Sequence, residues 1–246
     1  MTMLTTSDGL ELATRTWSAT GEPRASVVLV HGLAATKDNP ELVAVATALQ
    51  DRGLDVLAYD ARGHGESGGI CTLGDSERYD VAAAVAHAGL SDLPVVVVGA
   101  SMGGIAVLRY AADDPTLTGV VTVSSPADWR LHRSPGTILL AGMIRTRAGR
   151  AFAARLFRVR LSPHWTDPES PRNLAGRVVS PLAVVHGERD HFIPTREAAA
   201  LFSSSGGERR LFLVPRMGHA FHPEAVPVIC EAVDWALAAS AVPSPA

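Results

Sequence analysis

The stretch Val95–Gly104, Val-Val-Val-Val-Gly-Ala-Ser-Met-Gly-Gly, constrains this chain more than any other. Four β-branched residues run into Gly99-Ala100-Ser101-Met102-Gly103, and a helix-forming segment from Ile105 to Ala112 follows at once. A strand, a Gly-x-Ser-x-Gly turn and a helix, in that order, spell a nucleophile elbow. Such a turn lifts a serine hydroxyl above the end of a sheet. Small residues two places before and after the serine let strand and helix approach closely. The serine also stands at a helix N-terminus, where unpaired N–H groups favour a developing negative charge. Ser101 is therefore the candidate nucleophile.

The flanking sequence supplies a sheet for the elbow. Leu4 to Trp17 alternates around Ser7-Asp8-Gly9, which predicts an antiparallel hairpin. Buried-strand runs follow at Ala25–Val30, Leu54–Tyr59, Val95–Val98, Gly119–Val123, Leu182–Val185 and Arg210–Val214. Helical spacing is read over Pro40–Gln50, Ser76–Ala88 with Ser76 as N-cap, Thr195–Phe202 and Pro223–Ala239. Strands alternating with helices predict an α/β fold: a mostly parallel sheet covered on both faces, with the N-terminal hairpin at one edge. The tail after Ala239 is expected to fray.

Residues 127–180 break the rhythm, with no strand pattern. Apolar Leu139, Ile144, Phe152, Leu156 and Phe157 are mixed there with Arg130, Arg133, Arg145, Arg147, Arg150, Arg155, Arg158 and Arg160. A surface helix pair with a solvated basic face accounts for this pattern. So does a small helical cap over the mouth of a site, because ligands bind at the carboxyl ends of parallel strands. The expected organisation is a core of residues 1–126 and 181–246 with a cap insertion at 127–180. An acidic substrate drawn by the cap arginines is a further expectation.

The bulk properties exclude several classes. A chain of 246 residues with 47% hydrophobic and 19% charged residues has the composition of one well-cored globular domain. A net charge of −3 offers no footprint for nucleic acid or an anionic membrane. No apolar run is long enough to span a bilayer, and Met1–Asp8 has neither the basic start nor the apolar core of a signal peptide. Cys71 and Cys230 are too far apart in sequence for a metal motif, and two free thiols fit a cytoplasmic protein. The nine histidines show no paired ligand spacing, so neither metal nor cofactor is expected.

A serine hydroxyl needs a base, and the base needs an orienting group. Both candidates lie in loops after strands on the C-terminal side of Ser101. The strand ending at Val185 leads into His186-Gly-Glu-Arg-Asp190-His-Phe-Ile-Pro194, and the strand ending at Val214 leads into Pro215-Arg-Met-Gly-His219. Asp190 is the acid in this reading. Glu188 is two residues too close to the strand, and Asp167 belongs to the insertion. His219 is the base, whereas His222, just before Pro223, looks like a cap. His31, His64 and His186 are read as structural, His191 as a rim residue, and His87, His132 and His164 as solvent-facing. Two backbone N–H groups should hold the oxyanion: that of Met102, and that of Leu33 in the loop after the first parallel strand, with Ala34 as its neighbour and rival.

Taken together, His31-Gly32-Leu33, Tyr59-Asp-Ala-Arg-Gly-His-Gly-Glu-Ser67, the elbow, His186-Gly-Glu-Arg-Asp190 and Gly218-His219 resemble the α/β-hydrolase superfamily. They do so in the right order over nearly the whole chain. The loop His31-Gly-Leu-Ala-Ala-Thr-Lys-Asp38, with a short cap, is similar to that of small serine esterases, including feruloyl-esterase-like and lysophospholipase-like members. The resemblance implies a serine hydrolase acting on a small acyl ester or thioester as monomer or homodimer, without nucleic acid or integral membrane association. An acyltransferase, carbon–carbon hydrolase or perhydrolase would use the same triad, and a non-catalytic binding protein would keep only the fold.

Overall fold

The β-branched runs pair into a single sheet of eight strands. The computed structural model describes residues 2–129, 135–164, 166 and 168–241. The strands are β1 (Met3–Thr5), β2 (Glu11–Trp17), β3 (Ala25–Val30), β4 (Leu54–Tyr59), β5 (Val95–Ala100), β6 (Gly119–Val123), β7 (Leu182–Gly187) and β8 (Arg209–Val214), in the order β1-β2-β4-β3-β5-β6-β7-β8. The β1–β2 hairpin is antiparallel and joins β4 antiparallel, and every pairing from β4 to β8 is parallel.

The helices are α1 (Pro40–Gln50), α2 (Glu77–Ala88), α3 (Met102–Ala111), α4 (Pro135–Arg145), α5 (Arg147–Leu156), α6 (Pro171–Arg177), α7 (Thr195–Ser204) and α8 (Val226–Ser240). Burial on both faces explains why the central strands read as unbroken apolar runs. Val27, Leu29, Val96, Val98 and Val121 pack against Leu42 and Leu49 of α1 and Ile229 and Val233 of α8. Val28, Val30, Val97 and Val120 face Val81 of α2, Ala106 and Val107 of α3, and Leu201 of α7. Cys71 and Cys230 are buried free thiols on opposite faces.

Several local expectations are revised. Strand β5 runs two residues further, to Ala100, and α3 starts at Met102 rather than Ile105. The last helical segment opens with a 3-10 turn over Pro223–Ala225. Ser76 stands at the N-cap of α2, but its side chain makes no capping bond. Instead the Glu77 carboxylate accepts from the Thr72 and Gly74 N–H groups at 2.7 and 2.9 Å, and the Thr72 hydroxyl accepts from Ser76 N–H at 2.7 Å.

Within the segment that breaks the rhythm, Thr146 separates α4 from α5 by accepting from the Gly149 N–H. The excursion returns at Cys71, whose strand-like bridge to Leu161 ties it to the core. Helix α6 already packs in the core, with Leu174 and Ala175 buried beside α3 and α7. Arg130, Arg133, His132, Asp167, the Leu139 side chain and the tail from Val242 lie outside the described residues. Among the described residues no helix is long and apolar enough to cross a membrane.

Candidate active site

Close approach of three backbones dictates the elbow. A Cβ on Gly99 would meet the Gly103 carbonyl oxygen at 2.3 Å, and one on Gly103 would meet that of Val30 at 2.5 Å. Ser101 between them adopts φ 54°, ψ −114°, a strained conformation for a residue with a side chain. Its N–H donates to the Val123 carbonyl at 2.8 Å, which anchors the turn to β6. The Gly104 and Ile105 N–H groups donate back to the Ser101 carbonyl. Met102 lies before that first closed turn, so its N–H has no intrahelical acceptor.

Loops after β7 and β8 carry the other two side chains, and backbone bonds stitch these loops together. Glu188 N–H donates to the Val214 carbonyl and Arg189 N–H to that of Met217, both at 3.1 Å. The approach leaves no room for a side chain at Gly187, where a Cβ would lie 2.3 Å from the Met217 oxygen. The loops bring His219 between Ser101 and Asp190. His219 Nε2 is 3.1 Å from Ser101 Oγ, and Nδ1 is 2.7 Å from Asp190 Oδ2.

The fully buried Asp190 carboxylate also accepts at Oδ1 from the Phe192 and Ile193 N–H groups, both at 2.9 Å. Burial alone would raise its pKa, but the bonds from His219 and those two N–H groups outweigh burial and hold it below the usual carboxylate value. An ionised carboxylate only accepts, so Nδ1 of His219 carries the proton and Nε2 is left to accept from the serine hydroxyl. His186, fully buried, donates from Nε2 to the Ile193 carbonyl at 2.8 Å and so holds the same loop from behind.

The loop after β3 approaches Ser101 from the other side: a Cβ on Gly32 would be 3.3 Å from Ser101 Cβ. Two buried histidines shape this loop. His31 Nδ1 donates to the Gly32 carbonyl at 2.7 Å, while its Nε2 accepts from Ala61 N–H at 2.9 Å. His64 Nδ1 donates to the Arg62 carbonyl, and its Nε2 accepts from Ala34 N–H at 3.4 Å. The two rings meet edge-on at 5.0 Å. Ala34 is thereby engaged elsewhere. Beneath them Asp60 accepts from Lys37 N–H and Glu66 N–H, and buried Lys37 bridges Asp60 and Glu66. The Asp60–Gly65 motif thus serves the loop rather than the site itself.

Of the rival residues, Glu188 and His191 are exposed, and His222 caps the turn at Pro223 by accepting from Glu224 N–H. Phe192 has no signature in the local sequence. Its half-exposed ring lies 5.2 Å from the His219 imidazole, tilted by 50°. An aromatic contact of this kind is worth about 0.5–1.5 kcal/mol. Phe192→Ala is expected to lower kcat on a small ester about threefold to tenfold, with Phe192→Tyr close to the parent. A change in KM alone would make Phe192 a substrate contact and not a support of the imidazole.

A sheet with this strand order and a serine on its elbow defines an α/β-hydrolase. The chain belongs to the family described as serine aminopeptidase, S33, whose model matches residues 21–170. It is 40% identical to a non-heme haloperoxidase of Rhodococcus erythropolis over 46% of this chain, an alignment that spans only 39% of that protein. It is 27% identical to the monoacylglycerol lipase of Mycolicibacterium smegmatis over 92% of this chain and 93% of that one. Among solved structures, Est1E of Butyrivibrio proteoclasticus with bound ferulic acid superposes over 98% of this chain and all of that one, with a TM-score of 0.71 and 20% identity. Family membership makes the chain a hydrolase by kinship, and the structural likeness establishes the fold.

Proposed function

We propose that this protein hydrolyses carboxylic esters or thioesters through an acyl-enzyme on Ser101. The observation that carries the reading is the continuous hydrogen-bonded row Ser101–His219–Asp190, with the proton held on the Asp190 side of the imidazole. His219 takes the Ser101 proton as Oγ attacks the acyl carbonyl, then gives it to the leaving alcohol or thiol. Asp190 holds the tautomer and stabilises the imidazolium. The Leu33 and Met102 N–H groups receive the oxyanion, each donor lowering the barrier by a few kcal/mol. Water then enters through the same base and releases the acid. The part of the 127–180 insertion that precedes α6, with the α4–α5 hairpin, acts as a cap over this site. The name of one relative that covers nearly the whole chain, a monoacylglycerol lipase, agrees with an ester substrate.

Transfer to an alcohol, thiol or peroxide in place of water would use the same residues, and the haloperoxidase relative keeps a perhydrolase reaction in view. A fluorophosphonate probe is expected to label the parent protein and not Ser101→Ala. A panel of p-nitrophenyl esters of rising chain length, with acyl-coenzyme A thioesters and an amino-acid p-nitroanilide alongside, then separates the substrate classes. Absence of labelling in the folded parent protein overturns the acyl-enzyme, and turnover of the anilide alone would make the chain a peptidase.

A further inference from the structure

The chain's net charge of −3 conceals a segregation of charge. Residues 129–166 hold eight arginines and no Asp, Glu or Lys. A total of −3 with +8 in this segment leaves −11 for the remainder. Most arginines elsewhere have acidic partners, among them Arg62 with Asp8 and Asp80, Arg177 with Asp113 and Glu169, and Arg216 with Glu224, while Arg172, Arg189 and Arg209 have none among the described residues. In the α4–α5 hairpin and the strand-like segment after it, Arg150 donates to the Ile144 carbonyl and Arg160 to that of Gly69. Arg145, Arg147, Arg155 and Arg158 are exposed, and among the described residues none has an acidic partner.

Beside these cations the hairpin exposes several large apolar side chains. Phe152 and Leu156, four residues apart and so on one face of α5, are 50% and 59% exposed. Phe157, 40% exposed, meets Phe152 edge-on at 6.1 Å, and Ile138 of α4 is 61% exposed. The neighbouring face of α5 is docked through buried Ala153. Single exposed apolar residues are ordinary, but a cluster on a two-helix projection with unpaired arginines is a surface shaped for a partner.

We propose that the α4–α5 hairpin docks on an anionic phospholipid bilayer. Phe152, Leu156 and Phe157 enter the acyl boundary, and Arg147, Arg155 and Arg158 bind lipid phosphates at headgroup level. A second copy fits worse, because a two-fold contact would press two unpaired arginine clusters together. A nucleic-acid partner would leave the apolar face unused. The docking does not depend on which substrate the site takes.

The full chain is tested by flotation with vesicles of phosphatidylcholine alone and of phosphatidylcholine mixed with phosphatidylglycerol. Binding is expected to the mixed vesicles only, and to fall steeply with added salt. Arg147→Gln with Arg155→Gln is expected to weaken partitioning about 30-fold, and Phe152→Ser with Leu156→Ser about tenfold or more. Thermal melts check that the variants fold; if one melts early, the lipid and salt dependence of the parent protein decides. No binding to the mixed vesicles, equal binding to both kinds, or folded variants that bind like the parent each overturn the proposal. So does a concentration-dependent dimer abolished by the same substitutions, which would assign the face to a second copy.

Discussion

Ser101→Ala and His219→Ala are each expected to lower kcat on a p-nitrophenyl ester by roughly a thousandfold or more, with the double variant little slower than either one. Non-additivity is the informative part. In the proposed mechanism the Ser101 hydroxyl attacks only while Nε2 of His219, 3.1 Å away, accepts its proton, so removing either partner removes one shared function. Residual turnover would come from the oxyanion donors and from substrate binding, which neither substitution touches. Asp190→Asn is expected to damage kcat as well, because a neutral amide offers Nδ1 an alternative hydrogen-bond pattern and releases the tautomer that points Nε2 at the serine. Initial rates on folded, active-site-titrated protein check this. Additive losses, or a His219→Ala variant near parent activity, would remove the row from the mechanism.

The legible parts of this architecture are those where one local rule decides. Val95–Val98 reads as a buried strand because both faces of β5 are covered, so no polar alternation interrupts it. Gly99 and Gly103 are legible because backbone contacts under 3 Å exclude any side chain there. Asp190 and His219 follow from their places after two strands of a parallel sheet, whose carboxyl ends lie on one rim. What stays hidden depends on contacts between distant segments. Phe192 carries no local signal, because its meeting with His219 exists only once the β7 and β8 loops are stitched together. The capping of α2 by Thr72 and Glu77 in place of Ser76 depends on the preceding turn, which composition does not specify. Net charge reads as neutral ground when summed over the chain, because the sum erases where the arginines stand.

The second large effect is on stability in acid, and it starts from His31 and His64. Burial, then the neighbouring His31, lowers the pKa of His64 from 6.5 to about 4, and burial lowers that of His31 as well. Hydrogen bonding demands the neutral ring, since each Nε2 accepts from a backbone N–H, Ala61 for His31 and Ala34 for His64. A proton on either Nε2 would set two donors against each other inside the loop that carries Leu33. Above pH 6.5 both the folded and unfolded chains hold these rings neutral, and stability does not depend on them. Between pH 6.5 and about 4 the unfolded chain takes up the proton and the folded chain does not, so stability falls as pH falls. At 1.36 kcal/mol per pKa unit the loss from His64 alone is on the order of 3 kcal/mol, a large share of a typical domain's stability of about 5–15 kcal/mol. Asp190 works in the same direction at lower pH, because its carboxylate is stabilised in the folded chain and is lost only below the ordinary carboxyl range. Urea unfolding at a series of pH values from 7.5 down to 4.5 is expected to show the decline. His64→Gln, which cannot titrate, is expected to start from a lower stability and to fall less steeply. Asp80, whose pKa burial raises to about 6, works in the opposite direction over part of this window, so the comparison with His64→Gln decides. A variant whose stability falls with pH as steeply as the parent's would mean that His64 does not support the loop after β3 through its neutral form.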